Sequence, residues 1–342
     1  MRILISSHRY APDIGGIETV SALLAHEWHR GGHVVSVVTA TPQANGAEEP
    51  QAGIEIYRRP IGRELRRLVA ECDVCWHNNI SLQTAWPLLF TRRPWVVTTQ
   101  TWLHNPRGRT GWNGWLKRLA LRGAHNVAIS RAVAEHVGLR CEVIPNPYAS
   151  DVFRRLPGIA RERELAFVGR LVSDKGCDVL LRALHALAPA MRPRLTIIGG
   201  GPEEMALRAM SHELGLAEQV QFAGWLSGTK LASALNAHRV LVVPSRWSEP
   251  FGIVALEGMA CGCQVIASHS GGLVEAVGPG GEAFENGNVG ELAAAIRRAL
   301  TEERMADFSR ETLIREHLAA HGPARIAARY LEVFTAAGAK MK

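Results

Sequence analysis

The chain has 342 residues, 47% of them hydrophobic and 21% charged, with a net charge of +7. That length exceeds what one compact core usually holds, so two domains are expected. A mean hydropathy near zero and the lack of any apolar run of membrane-spanning length exclude a disordered chain and a helical membrane protein.

The first ten residues, "MRILISSHRY", read as a buried strand at 2–6 and not as a secretory leader. A glycine turn follows in "APDIGGIETV" (11–20), with Gly15 and Gly16 leading into a helix that runs to about Arg30. Glycine lets a backbone come close to a ligand, and the helix start presents its positive end to an anion. The spacing G-x-G-x-x-G is absent there and at "GGGP" (199–202), which counts against a dinucleotide cofactor. Further strands are expected at 34–39, 95–99, 126–130 and 142–146, and "DVCWHNN" (73–79) ends another. Their continuous apolar character predicts burial on both faces of a parallel sheet.

Between 58 and 122 the chain carries twelve Arg and Lys against three acids, a local balance of +9. This favours an anionic partner, although no nucleic-acid module is recognisable. Within that window "RTGWNGWLKRLALR" (109–122) places Trp112, Trp115, Leu116, Leu119 and Ala120 on one helical face. Two readings stand for it: a helix lying on an anionic membrane, or one packing its apolar face on the sheet.

The stretch 153–164, charged and broken by Pro and Gly, reads as an interdomain linker. The β–α alternation then restarts, with strands at 165–169, 195–200, 220–224, 240–245 and 264–268. The chain therefore reads as an α/β protein of two doubly wound Rossmann-like domains facing a central cleft. The domains are placed at 1–155 and 156–322, and a final helix at 323–342 packs back on the first.

Six cysteines occur, at 72, 75, 141, 177, 261 and 263. Neither C-x-x-C at 72–75 nor C-x-C at 261–263 has the spacing of a zinc site, so they read as small buried residues in a reducing compartment.

Three stretches of the second half carry candidate chemistry. "FVGRLVSDKG" (167–176) sets Arg170 and Lys175 just past a strand end, where both suit phosphate oxygens. At an effective dielectric of about 20, each close charge pair is worth roughly 4 kcal/mol before desolvation. "SEPFGIVALEGMACG" (248–262) sets Glu249 before a helix and Glu257 eight residues on, about two turns away. Phe251, Gly252, Ile253 and Val254 are expected to form the first turn, whose N–H groups lack intrahelical partners. Glu257 suits paired hydroxyls such as those of a ribose, and Glu249 those of a sugar.

"APDIGGIETV", "VIPNPY…VF", "FVGRLVSDKG", "IIGGGPE", "VPSRWSEPFGIVALEGMACG" and "ASHSGGLVEAV" occur in order and span nearly the whole chain. Together they resemble family 4 of the retaining glycosyltransferases, of GT-B architecture. The resemblance implies transfer of a sugar from a nucleotide-diphosphate sugar, a UDP-sugar being preferred, to a hydroxyl acceptor, lipid-linked acceptors included. It implies no metal and no cofactor. Arg170 and Lys175 would hold the donor diphosphate and stabilise the leaving group. Glu257 would bind the ribose. Glu249 would orient the transferred sugar with the amides of Phe251, Gly252 and Ile253, and Gly15 and Gly16 would approach the donor. Where many relatives carry a histidine after an N-domain strand, this chain has Thr99 and Gln100, with His104 further along. These three and Asn78 are the acceptor-side candidates, whereas His77 reads as a satisfied buried histidine. A cytoplasmic enzyme of cell-surface glycan synthesis, peripheral at the inner membrane face, is the expectation. A non-catalytic nucleotide-sugar binder or a GT-B relative such as an epimerase is the alternative.

Overall fold

A computed structural model of the chain describes residues 1–13, 15–42, 53–103, 112–301 and 308–339. It divides into unit 1, Met1–Pro147 with His321–Lys342, and unit 2, Tyr148–Ala320.

Unit 1 holds β1 (Arg2–Ser6), α1 (Gly16–Arg30), β2 (Val34–Thr39), β3 (Glu55–Arg58), α2 (Gly62–Glu71), β4 (Val74–Asn78) and α3 (Leu82–Ala85). A 3-10 turn (Trp86–Leu89), β5 (Trp95–Thr99), α4 (Trp112–Leu121), β6 (His125–Ala128), α5 (Arg131–Val137) and β7 (Cys141–Val143) follow. The seven strands pair in the order β3-β2-β1-β4-β5-β6-β7, all parallel.

Unit 2 holds β8 (Arg163–Val168), α6 (Cys177–Ala186), β9 (Leu195–Ile198), α7 (Glu204–Glu213), β10 (Val220–Gly224), α8 (Gly228–Ala237) and β11 (His238–Val243). It continues with α9 (Ile253–Ala260), β12 (Gln264–Ser268), α10 (Leu273–Val277), β13 (Gly281–Phe284), α11 (Val289–Thr301) and α12 (Phe308–Ala320). Its six strands are parallel in the order β10-β9-β8-β11-β12-β13. Each unit is thus doubly wound, with one point at which the strand order reverses: β1/β4 in unit 1 and β8/β11 in unit 2.

Strands β4, β5 and β12 are buried at every residue, as their apolar runs predict. β10 differs. It lies at the sheet edge and its burial alternates, because only one face of an edge strand is covered here. The apolar helix faces close over the sheets: in unit 2, Leu180, Leu181 and Leu184 of α6 join Ile296 of α11 around Phe167 and Ile197.

By its internal contacts the chain passes from unit 1 to unit 2 between Pro147 and Tyr148 and returns to unit 1 at His321. The stretch 153–164 is not a free linker. Asn236 of α8 binds it by two bonds, Leu156 N–H donating to Oδ1 at 2.9 Å and Nδ2 donating to the Arg154 carbonyl at 2.9 Å. The Arg161 guanidinium donates to the carbonyls of His238 and Cys261. The charges that mark a linker in sequence here satisfy backbone carbonyls at element ends.

The last helix, α13 (Pro323–Ala339), is part of unit 1. Tyr330 and Phe334 pack on Trp28 of α1, with ring centroids 6.0 and 5.2 Å away, and Trp28 meets Trp76 edge-on at 5.1 Å. The polar tips of these rings are satisfied: Trp28 Nε1 donates to the Ala327 carbonyl, and Trp76 Nε1 and the Tyr330 hydroxyl both meet Thr98 Oγ1.

Candidate active site

In unit 2, β8 and β11 are paired neighbours, so the turns that leave their carboxyl ends lie side by side. These turns carry the residues singled out in the sequence. They are knitted together by backbone bonds: the N–H groups of Arg246 and Trp247 both donate to the Asp174 carbonyl, at 2.8 and 3.2 Å. Gly176 sits between them with φ +66°, and a Cβ there would stand 2.0 Å from the Pro244 carbonyl oxygen. Only glycine permits this approach.

The knitted turns bring Lys175 to Glu249. Lys175 Nζ lies 2.5 Å from Glu249 Oε1, in a pair whose side chains are 25% and 11% exposed. Oε1 also accepts the hydroxyl proton of Ser245, at 2.7 Å. The Glu249 backbone is fixed from the other side. Gly272 N–H donates to its carbonyl at 2.7 Å, and Gly271, φ +57°, packs so closely that a Cβ would lie 2.4 Å from that oxygen. Arg170, by contrast, is exposed, and its guanidinium has no hydrogen-bond partner among the described residues. The two predicted cations are therefore unlike. One is held in an ion pair; the other extends from the end of β8 toward water.

The helix expected to open at Phe251 opens at Ile253, with Gly252 as its N-cap in the left-handed conformation. Phe251 is buried, so its ring anchors the turn in the core. The N–H groups of Gly252, Ile253 and Val254 have no intrahelical acceptor and form a small electropositive end. Glu257 follows one turn later on α9. Burial pushes its carboxyl up to about 7, so near neutrality it exchanges between charged and neutral forms. The strip therefore combines an exposed guanidinium, an ammonium, a helix start and two glutamate side chains. It can bind an anion flanked by hydroxyl-bearing groups.

In unit 1, the turn at Gly15 and Gly16 follows β1 at the other reversal point. Gly15 precedes α1, and its carbonyl accepts from both the backbone and the hydroxyl of Thr19. Asn78, at the end of β4, donates from Nδ2 to the Ile17 carbonyl (3.0 Å) and to Ser21 Oγ (2.7 Å). Its Oδ1 accepts from Gln100 Nε2 at 2.7 Å, and Gln100 exchanges two further bonds with Asn146. Asn78 and Gln100 are thus buried in a network of three amides that steadies the first turn of α1. Thr99 is buried too, and its hydroxyl has no partner in the described structure. His104 lies outside the described residues. His77 is buried, accepts from Trp95 Nε1 and meets Thr84 Oγ1, and desolvation lowers its pKa to about 3. It is a neutral structural histidine, as its sequence context indicates.

On α4 the expected single apolar face splits. Ala120 and Leu121 are buried, whereas Trp112 and Trp115 are 74% and 53% exposed and stack at 5.4 Å, and Leu119 is exposed as well. Among the described residues no group of three or more His, Cys, Asp and Glu is placed to hold a metal ion, and no helix is long and apolar enough to cross a membrane.

Sequence reasoning missed Ser245, Gly271 with Gly272, and the partnership of Gln100 with Asn146. Their only signals were position: a serine at a strand end four residues before the glutamate, two glycines after β12, and two amides at strand ends.

Residues 14–151 match Glycosyltransferase Family 4, and residues 151–314 match Glycosyl transferases group 1. The D-inositol 3-phosphate glycosyltransferase 2 of Catenulispora acidiphila is 38% identical over 184 residues, which are 50% of this chain and 42% of that protein. The match therefore spans less than half the length of that curated relative. Among solved structures, Anabaena HepE in complex with UDP and glucose superposes with a TM-score of 0.78 at 21% identity, covering 98% of this chain and all of that one. Sucrose-phosphate synthase from Thermosynechococcus elongatus gives a TM-score of 0.78 at 22% identity, again over 98% of this chain and 100% of that one. These likenesses establish the two-domain fold of the GT-B glycosyltransferases.

Proposed function

Because the chain belongs to the glycosyltransferases of family 4 and group 1, with the GT-B fold, we propose that it moves a sugar from a nucleotide-diphosphate sugar to an acceptor hydroxyl with retention of configuration. The observation that carries this reading is the Lys175–Glu249 pair beside the start of α9, with Arg170 exposed in the same strip.

The donor diphosphate lies against Arg170 and Lys175, and the ribose against Glu257. As the bond from anomeric carbon to phosphate oxygen breaks, charge grows on the diphosphate, and the two cations and the N–H groups of α9 oppose it. The acceptor oxygen attacks on the same face, and the departing phosphate oxygen takes its proton. Glu249 orients sugar hydroxyls and forms no covalent bond. The cations supply the electrostatic work, so turnover requires no metal. UDP is the preferred nucleotide; HepE, which shares the fold, is seen with UDP and glucose.

The acceptor belongs to a cell-surface glycan or glycolipid, and the enzyme works at the cytoplasmic membrane face. The exposed Trp112–Trp115 stack, on a helix that also carries Lys117 and Arg118, supports this, as does a second basic and apolar area in unit 1. There Phe90 is 83% exposed, Ile61 and Leu89 are exposed, and Arg63 and Arg67 lie nearby, with Arg66 over the Trp86 ring at 4.9 Å. Failure to sediment with phosphatidylglycerol vesicles at low salt would remove this part of the reading.

The primary test is slow hydrolysis of a donor panel of UDP-, GDP- and ADP-sugars in EDTA. Release of nucleoside diphosphate from one class is expected. Binding without release from any of them would make the chain a nucleotide-sugar binder instead.

Glu257 gives a pH prediction. With its free-protein pKa near 7, the carboxylate that accepts two ribose hydroxyls is half populated at neutrality. Binding favours the ionised form and pulls the pKa down, so affinity rises with pH from about 6 to 8, several-fold, then levels off. Titration with UDP-glucose, whose phosphodiester groups stay ionised throughout, checks this. Glu257→Gln should bind more weakly with no such slope; a slope that persisted in the variant would refute the assignment.

A further inference from the structure

We propose that Ser245 is a positioning residue that keeps the Glu249 carboxylate aimed at the donor sugar while Lys175 turns to the diphosphate; this rests on the reading of the donor site given above. Among the described residues, the Glu249 side chain has two hydrogen-bond partners, Lys175 Nζ at 2.5 Å and Ser245 Oγ at 2.7 Å, and both meet the same oxygen, Oε1. Oε2 has none. This arrangement ties the phosphate-binding cation to the sugar-reading acid. When a diphosphate arrives, the Lys175 ammonium has further acceptors, since the diphosphate offers several anionic oxygens and a larger total charge than a single carboxylate. Glu249 then loses one of its two partners at the moment it must hold a sugar hydroxyl.

Ser245 remains. It is 1% exposed, so water has no access to take its place. Its hydroxyl has one proton to give, and that proton goes to Oε1. Its backbone is itself anchored: Ser268, equally buried at the end of β12, donates from Oγ to the Ser245 carbonyl at 2.7 Å. The chain Ser268–Ser245–Glu249 thus ties β11 and β12 to the acid, independently of Lys175. Ser245 touches no part of the ligand and acts through Glu249 alone.

The inference separates phosphate binding from sugar binding, and so does its test. UDP and UDP-glucose are titrated against wild type, Ser245→Ala and Ser245→Thr, with thermal unfolding recorded for each. Wild type should bind UDP-glucose more tightly than UDP by a measurable ratio. Ser245→Ala should keep UDP affinity within about twofold and lose most of that ratio. Its kcat should fall about tenfold or more, the size expected for one hydrogen bond to a charged group. Ser245→Thr, which keeps the hydroxyl, should restore both. If Ser245→Ala unfolds, Ser245→Cys fills the space with a poor donor and should show the same loss. An unchanged ratio in a folded Ala or Cys variant overturns the inference while leaving the donor site intact, and so does a parallel loss of UDP affinity. A wild type that binds neither probe overturns the donor-site reading first and this inference with it.

Discussion

Lys175→Ala is expected to lower kcat by about 10²- to 10³-fold, the usual effect of removing one preorganised group that opposes transition-state charge. The loss should fall on turnover more than on folding. Lys175 is a quarter exposed, and its neighbours are fixed by backbone bonds that the substitution leaves alone. UDP affinity should fall as well, by less than turnover, because Arg170 still faces the diphosphate. Lys175→Arg should recover only part of the activity. A planar guanidinium cannot place one donor on Glu249 Oε1 in the space of an ammonium. Steady-state kinetics with thermal unfolding as control checks both variants. Near-normal turnover in a folded Lys175→Ala protein would remove this residue from the reaction.

Glu249→Ala should cost a similar factor by a different route. The substitution removes the sugar-orienting carboxylate, and it leaves Ser245 Oγ and Lys175 Nζ without their common acceptor. The freed Lys175 is then more available to phosphate, so UDP should bind at least as tightly as to wild type. UDP-glucose should lose the preference that its sugar provides. This opposition, turnover down by about 10² or more with nucleotide affinity held or raised, is specific to an acid that pairs with the phosphate cation. Glu249→Gln should lie between, because an amide oxygen can still accept from Ser245. Equal weakening of both ligands would mean that Glu249 merely supports the fold.

Much of this was legible in the sequence because period and punctuation are local. Apolar runs of five residues marked the buried strands, and Gly31 at the end of α1 marked its stop. The order of the motifs placed Arg170, Lys175, Glu249 and Glu257 in one unit. Pairing was not legible. Nothing in the spacing of residues 175, 245 and 249 shows that two donors share one carboxylate oxygen, since that contact depends on β8 and β11 being neighbours in the sheet. The linker was misread for a related reason. Charged residues at 154–161 look solvated in sequence, yet Arg161 satisfies two carbonyls that only the folded unit brings within its reach. Gln100 is a third case. Its place where relatives carry a histidine makes it an acceptor-side candidate, and nothing in the sequence shows that its donors and acceptor go to Asn78 and Asn146. The exposed side of α4 was hidden because helical spacing alone does not say which of two apolar arcs meets the sheet.

A crystal structure with UDP-glucose bound tests the central claim most directly. The account predicts diphosphate oxygens within hydrogen-bond distance of Lys175 Nζ and the Arg170 guanidinium, the ribose against Glu257, and the hexose against Glu249 still held by Ser245. A nucleotide bound away from the β8 and β11 turns, or phosphates gripped through a metal ion while both cations stand apart, would contradict it.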